Sequence, residues 1–405
     1  MSTPRPWKQF IDWQLIPPAP PSGIEAFTEN VSRELIWREL LQLADVAKVG
    51  RALFAGTAAQ KTKLWDQFGS LIRQAKAYDD AAALVRGPSA ALLQYYTALN
   101  LAKAELLTAP SPLHAYVHGL KFSSARARSI AQDYLTVDKG VFPLLYTKRT
   151  GVSLRPGTRL SVKRLLASIP EIGWELGLSH FTQPTHTRLL HAAVVGAKEG
   201  WAVIAIENPA VILRSPVSRR AFLAAFEQVT PLPAAGPTGF TTARQLPTYL
   251  PGSDRHWTEV FATSRRFGYG VQTFFESRWQ VPVQAIGTNR YLASVFATIC
   301  AKTNATLGPF IDLPSEEGAD ATLTPSHLGN RMLPMPAGLA RYAVMFYLSS
   351  LVRYKPTHVD LNLNSAQHWL MSAFADQAGI RMLQSMLSGI TGRWHIYYSP
   401  GAFRA

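Results

Sequence analysis

An arginine and a histidine with four residues between them, Arg353 and His358, stand near the C-terminus in "RYKPTH". A histidine with an unperturbed pKa of about 6.5 can act as a general acid or base near neutral pH. An arginine can hold a phosphate with its planar fork of donors and offset the charge that develops there. This pair is therefore suited to cutting nucleic acid. The alternative is structural, because the helix dipole favours an arginine in a last turn by about 0.3–1 kcal/mol.

Two further histidines, His114 and His118, lie four apart in "SPLHAYVHGLKF". On a helix they would share a face that suits a metal ion. Pro112 and Gly119 favour a loop instead, with Gly119 as its hinge. The sequence shows no third ligand, so we expect no metal site.

His118 has two other interpretations. It pairs with polar groups of a helical core near Tyr95 or Tyr96, or it assists Arg353 in catalysis as a third catalytic residue. The second interpretation requires that two distant segments, near residues 118 and 353, meet in one core.

Four basic residues are candidates for binding nucleic acid. Arg126 and Arg128 stand at the start of a predicted helix, "SSARARSIAQDYL", where positive charge opposes the dipole and a bound anion would relieve it. Lys121 lies just before them, and Arg188 lies in the basic and aromatic stretch "SHFTQPTHTRLLH". The alternative is a plain exposed first turn and a solvated loop.

The bulk composition favours a polyanionic partner. The net charge is +15, and the basic excess lies in the middle of the chain without a block of like charges. A solvated basic surface is the alternative interpretation. The chain lacks GxxxxGK[ST], GxSxG and HExxH, which disfavours ATP-driven, serine-hydrolase and zincin chemistry. We expect no cofactor.

Cysteine usage and hydropathy predict a cytoplasmic protein. Cys300 is the single cysteine, so no disulfide framework forms within a monomer. The N-terminal stretch lacks an apolar signal-peptide core, and no run of 18 apolar residues predicts a membrane span. We expect no association with a membrane.

The elements that would position these residues predict an α+β fold. We divide the chain into a Pro-rich arm, a helical block, a mixed α/β insertion and a second helical block, at residues 1–28, 29–140, 141–325 and 326–405. A nearly all-apolar helix over 88–109, between Pro88 and Pro110, should be a core neighbour of a helix over 337–354. "LLHAAVVGAKEGWAVIAIENPAVIL" predicts two strands around a "GAKEG" turn.

Three stretches, taken in order, resemble the YaaC-like family of bacterial proteins, which has ties to the helical HEPN group. They are "GPSAALLQYYTALNLAKAELL" from Gly87, "HGL" from His118 and "YLSSLVRYKP" from Tyr347. The family tends to place a tryptophan a few residues after that last proline, whereas His358 and Val359 stand there in this chain.

The resemblance implies one mainly α-helical, HEPN-like bundle built from the N- and C-terminal helices. HEPN ribonucleases use Arg-x(4–6)-His for metal-independent RNA cleavage, usually across a homodimer, and "RYKPTH" fits that pattern. We favour a basic protein that binds nucleic acid (RNA or DNA) or a partner protein, in a role that extends to defence against phage. The alternative is a HEPN-type ribonuclease that uses Arg353 and His358.

Overall fold

The chain divides into two compact units, neither of them continuous in sequence. Unit 1 comprises residues 1–20 and 187–325, and unit 2 comprises residues 21–186 and 326–405. The fold class predicted from the sequence, a mainly helical α+β protein, is confirmed at that level. The computed structural model describes residues 10–12, 23–27, 32–85, 88–111, 114, 117–123, 130–182, 185, 187–195, 199–206, 209–213, 216–229, 273–283, 295, 298–299, 302–303, 311–312, 321–323, 335–354 and 365–397.

Helices make up most of unit 2, and α8 and α9 belong to unit 1. Local sequence explains where the first long helices begin. The Ser32 hydroxyl accepts a hydrogen bond from the Leu35 amide at the start of the first helix. Thr57 and Gln60 form a capping box at the start of the helix that begins at Ala58. Numbered along the chain, the helices of the described residues are α1 (Arg33–Asp45), α2 (Ala47–Gly50), α3 (Ala58–Leu84), α4 (Pro88–Leu107), α5 (Val141–Thr150), α6 (Val162–Ala167), α7 (Gly173–Leu178), α8 (Ala210–Leu213), α9 (Pro216–Ala225), α10 (Ala337–Tyr354) and α11 (Ser365–Thr391).

The strands form three sheets. They are β1 (Phe10–Asp12), β2 (Gly23–Phe27), β3 (His118–Ser123), β4 (Tyr134–Gly140), β5 (Arg159–Ser161), β6 (Thr187–Val195), β7 (Glu199–Ile206), β8 (Phe226–Val229), β9 (Thr273–Ser277), β10 (Val281–Pro282), β11 (Ile311–Asp312), β12 (Ala321–Leu323) and β13 (Arg393–Tyr397). Unit 2 holds the antiparallel sheet β3-β4-β5 and the parallel pair β13-β2.

Unit 1 is organised around an antiparallel sheet with the order β11-β12-β6-β7-β9-β8, in which β1 also pairs with β6 and β10 with β7. Strands β6 and β7 are in register from Leu189 opposite Ile206 to Val195 opposite Gly200. The two strands predicted around the "GAKEG" turn are therefore confirmed.

The core of unit 2 is centred on α4 and α10, which confirms the predicted neighbourhood of these helices. The ring of Tyr95 meets Tyr342 and Phe346 edge-on, at centroid distances of 5.7 and 5.4 Å. All three side chains are buried or nearly so. Because both helices are apolar on almost every side, each is covered by neighbours rather than by water. None of the described helices is both long and apolar enough to span a membrane.

Two predictions of local structure around residue 120 are wrong. Residues 118–122, predicted as a loop, belong to β3 (His118–Ser123), which pairs with β4. The helix predicted from Ser123 to Leu135 is contradicted at both ends, because Ser123 belongs to β3 and residues 134–135 belong to β4, which buries Leu135 and Val137 in alternation. This period of two is that of a half-buried strand.

Residues 141–186, which the sequence placed in the mixed insertion, lie in unit 2. The reason is packing of α5 on the core helices. The ring of Phe142 stacks on Tyr342 with centroids 5.8 Å apart, and both rings are fully buried. Strands β1 and β2 lie within the predicted Pro-rich arm.

Candidate functional site

Two consecutive tyrosines of α4 face different neighbours. Tyr95 is fully buried against α10, whereas Tyr96 is half-buried and stacks on Tyr78 of α3 at 5.2 Å between centroids. Consecutive residues on a helix point about 100° apart. The pair therefore presents one hydroxyl inside the core and one near its boundary.

His118 lies at the start of β3 with its ring turned to the core. Its Nδ1 is 2.7 Å from the Tyr95 hydroxyl, and its ring packs against Tyr95 and Phe346. This is the contact expected if His118 pairs with polar groups of the helical core. The helical face that His114 and His118 would share does not form, because His118 is on a strand.

Two glycines make this position of His118 possible. His118 pairs with Gly140 of β4, and the backbone of Gly140 has a φ of +145° while that of Gly119 has +81°. A Cβ at Gly140 would lie 2.4 Å from the Val117 carbonyl oxygen. Both positions thus require glycine, since L side chains rarely adopt such φ values and the backbones touch.

Arg353 is in the last turn of α10 and joins that helix to α4. Its Nε donates to the Ser349 carbonyl at 3.3 Å, which is the helix-end role that the structural interpretation predicts. Its Nη1 also donates to the Tyr96 hydroxyl at 3.0 Å. The guanidinium carbon lies over the rings of Tyr96 and Tyr354, 5.8 and 4.9 Å from their centroids.

Lys103 of α4 adds an ammonium group to the imidazole of His118 and the guanidinium of Arg353. It lies seven residues after Tyr96, so both are on one face of the helix. Lys103 is half-buried, and burial lowers its pKa. In the described part of the chain, neither Lys103 nor Arg353 forms an ion pair with an acidic side chain.

The electrostatics of the site keep His118 neutral at pH 7. Burial lowers the pKa of His118, and the positive charges of Arg353 and Lys103 lower it further. Burial raises the pKa of Tyr95 far above its ordinary value, although Tyr342 and Arg353 oppose the shift. The hydrogen bond between Tyr95 and His118 therefore joins two neutral groups.

Of the other predicted site residues, Lys121 alone has a side chain that the structure describes. His358, Arg126 and Arg128 lie outside the described residues. Lys121 is exposed on β3 and forms an ion pair of 2.6 Å with Asp138. Arg188 is on β6 of unit 1, opposite Thr322 of β12, and its side chain lies outside the described part.

His114 was considered with His118 as a possible metal ligand. His114 is exposed and lines an open cavity of about 490 Å³ with Val117, Asp138 and Pro143. Among the residues that the structure describes, no group of histidine, cysteine, aspartate and glutamate side chains is arranged to hold a metal ion.

Sequence reasoning missed Tyr354 and Lys103 as site residues. The signal for Lys103 was present, because Tyr96 and Lys103 are spaced by two helical turns within the stretch that carries the family resemblance. No sequence pattern identifies Tyr354 as a site residue, because it is recognised by its exposure and by its contact with the guanidinium of Arg353, which only the structure shows.

Comparisons with known proteins gave one kind of match, to a family model. No curated protein and no solved structure matches the chain. A family match covers Tyr95, Tyr96, Lys103 and His118, while Arg353 lies beyond it. The model of the YaaC-like Protein family matches residues 55–214, which confirms over that range the family resemblance predicted from the sequence.

Proposed function

We propose that unit 2 binds the phosphate groups of nucleic acid at Arg353, Lys103 and His118. The observation that carries the proposal is the charge of this cluster. Two half-buried cations lie within electrostatic reach of one histidine, and no acidic side chain of the described residues neutralises them. A phosphate supplies the missing negative charge.

The contacts of Arg353 suit it for this role. Tyr96 and Ser349 each take one hydrogen bond from the guanidinium, which fixes the plane of the group. The guanidinium has further donors beyond those two bonds, and an arginine fork binds two phosphate oxygens at once. Lys103 adds a point charge, and the net charge of +15 attracts the polyanion over longer distances.

A second candidate function is metal-independent cleavage of RNA, favoured by the neutral state of His118. A neutral imidazole can take the proton of an attacking hydroxyl, and Arg353 can stabilise charge on the phosphate. In the tautomer that this role needs, Nδ1 of His118 carries the proton and donates to the Tyr95 hydroxyl, which holds the ring in place and leaves Nε2 free to accept. In this alternative, α3, α4, α10 and α11 form the HEPN-like bundle, and His358 completes the predicted pair.

Binding is tested with the full chain and a fluorescent single-stranded RNA, over a series of salt concentrations. Each phosphate contact contributes about 0.7 to the slope of log affinity against log salt for single strands. We expect Arg353→Ala and Lys103→Ala each to weaken binding and to lower that slope by about 0.7. Arg155→Ala, which removes an exposed charge of unit 2 outside the site, is the matched control.

Two outcomes decide between the candidates. A wild-type protein that shows no salt-dependent binding, or an Arg353→Ala variant that behaves like Arg155→Ala, refutes the proposal. The same samples, held in EDTA and resolved on a denaturing gel, report cleavage. Cleavage that is lost in both Arg353→Ala and His118→Gln, with folding intact, favours the ribonuclease.

A further inference from the structure

We infer that the ligand of this site is single-stranded nucleic acid, and that the exposed ring of Tyr354 stacks on a base beside the phosphate held by Arg353. The inference rests on the proposed function and adds the class of substrate. It depends on three ring contacts, two of them made by Arg353 of α10, and on the exposure of the last residue of that helix.

Planar groups follow one another from the half-buried Tyr78 to the surface. Tyr78 stacks on Tyr96, with an angle of 26° between the rings. The guanidinium of Arg353 lies over Tyr96 and also over Tyr354. Tyr354 ends the series and is 70% exposed, so a planar ligand could extend it.

An exposed aromatic ring beside a cation matches the chemistry of one nucleotide. The phosphate is bound by the cation, and the base stacks on the ring. Since every base has a π-face, this contact is independent of sequence. It also does not involve the 2′-hydroxyl, so RNA and DNA strands should both bind.

The same geometry disfavours a duplex. In a double helix the faces of a base are covered by the neighbouring base pairs, and its edges alone are open in the grooves. A single strand presents unstacked bases to an aromatic side chain. Tyr354 should therefore contribute to the binding of single strands and not to that of a duplex.

Four probes test the inference with the full chain: oligoadenylate RNA, oligodeoxyadenylate, a closed circular duplex without terminal base pairs, and inorganic polyphosphate. We expect Tyr354→Ala to weaken binding of both single strands by about tenfold. Its affinity for the duplex and for polyphosphate should stay at the wild-type level. Tyr354→Phe, which keeps the ring, should restore the affinity for single strands.

Trp174→Ala is the matched control. Trp174 of α7 is 68% exposed, close to the value for Tyr354, and lies outside the site. Its replacement should leave all four affinities unchanged. If it weakens single-strand binding as much as Tyr354→Ala does, stacking is not specific to Tyr354 and the inference is wrong.

The remaining outcomes separate this inference from the proposed function. Equal binding of single strands by wild type and Tyr354→Ala overturns the inference, as does an equal loss for polyphosphate, which would mean that Tyr354 only positions Arg353. If Arg353→Ala still weakens polyphosphate binding in those cases, the proposed function stands. A wild-type protein that binds none of the four probes refutes both.

Discussion

The hydrogen bond between Tyr95 and His118 predicts that two substitutions together destabilise unit 2 less than either one alone. Tyr95→Phe removes a fully buried hydroxyl and leaves Nδ1 of His118 without its partner at 2.7 Å. His118→Phe keeps an aromatic ring beside Phe346 and leaves the tyrosine hydroxyl without that bond. Tyr95→Phe thus leaves a half-buried nitrogen without this bond and His118→Phe a fully buried hydroxyl, and an unsatisfied buried polar group costs about 1–3 kcal/mol.

The two single variants should differ in size. The hydroxyl of Tyr342 lies beside that of Tyr95 and can take over part of the lost bond in His118→Phe. We therefore expect that variant near the lower end, about 1 kcal/mol, and Tyr95→Phe near about 2 kcal/mol. In the double variant both partners are apolar, and such replacements can be nearly neutral.

Urea unfolding of the four proteins of this double-mutant cycle measures the three differences in free energy. For a domain of this size, about 1 kcal/mol corresponds to about 2–4 °C in Tm, so thermal melts give a second reading. Additive destabilisation in the double variant would refute the reasoning, because it would show that the two groups do not interact. An unchanged Tyr95→Phe variant would refute it as well.

Two further predictions concern ionisable groups. Because the pKa of His118 is lowered on folding, the unfolded state takes up the proton at a higher pH than the folded state does. The free energy of unfolding should therefore fall as the pH drops below about 6.5. Urea unfolding at several pH values should show this fall in the wild type and not in His118→Phe. Glu105→Gln should cost about 3–5 kcal/mol, because it leaves Arg149 buried without its carboxylate. Asp45→Asn, which breaks an exposed ion pair, should cost less than about 1 kcal/mol, and similar losses in these two variants would contradict the prediction.

The local sequence pattern predicted the helices and strands that have clear boundary residues or a clear hydrophobic periodicity. Pro88 and Pro110 bracket α4, and β-branched runs on both sides of a Gly-containing turn predict β6 and β7. The strands β3 and β4 were missed because a Ser-Ser pair before "ARARS" has the composition of a helix start. Their pairing is a long-range property that no local window contains.

The site was predictable to a smaller extent. His118 and Arg353 were considered together because both lie in segments that resemble one family, and the structure places them within electrostatic reach of each other. The partners of Arg353 could not be predicted, because Tyr96 is 257 positions away and a helical period does not say which faces meet. The exposure of a side chain could not be measured from the sequence either, and exposure is what distinguishes Tyr354 from the buried Tyr95.

Elsewhere in unit 2, the arginines that bridge core elements have a carboxylate beside them. Arg33 pairs with Asp79, Arg149 with Glu105 and Arg341 with Glu171, and each of these carboxylates is buried or nearly so. This is the expected arrangement, since a charge taken from water is costly unless an opposite charge meets it.

Arg353 and Lys103 depart from that arrangement. Among the described residues, the guanidinium of Arg353 meets neutral groups and no side chain offsets the lowering of the Lys103 pKa by burial, whereas Glu105 opposes the corresponding shift of Lys148. A helix end alone would explain one positive charge but not a second cation, on another helix, that acts on the same histidine. A bound anion would recover the energetic cost of holding both charges near one histidine, and for that reason we propose that the function of this protein lies at that point of the fold.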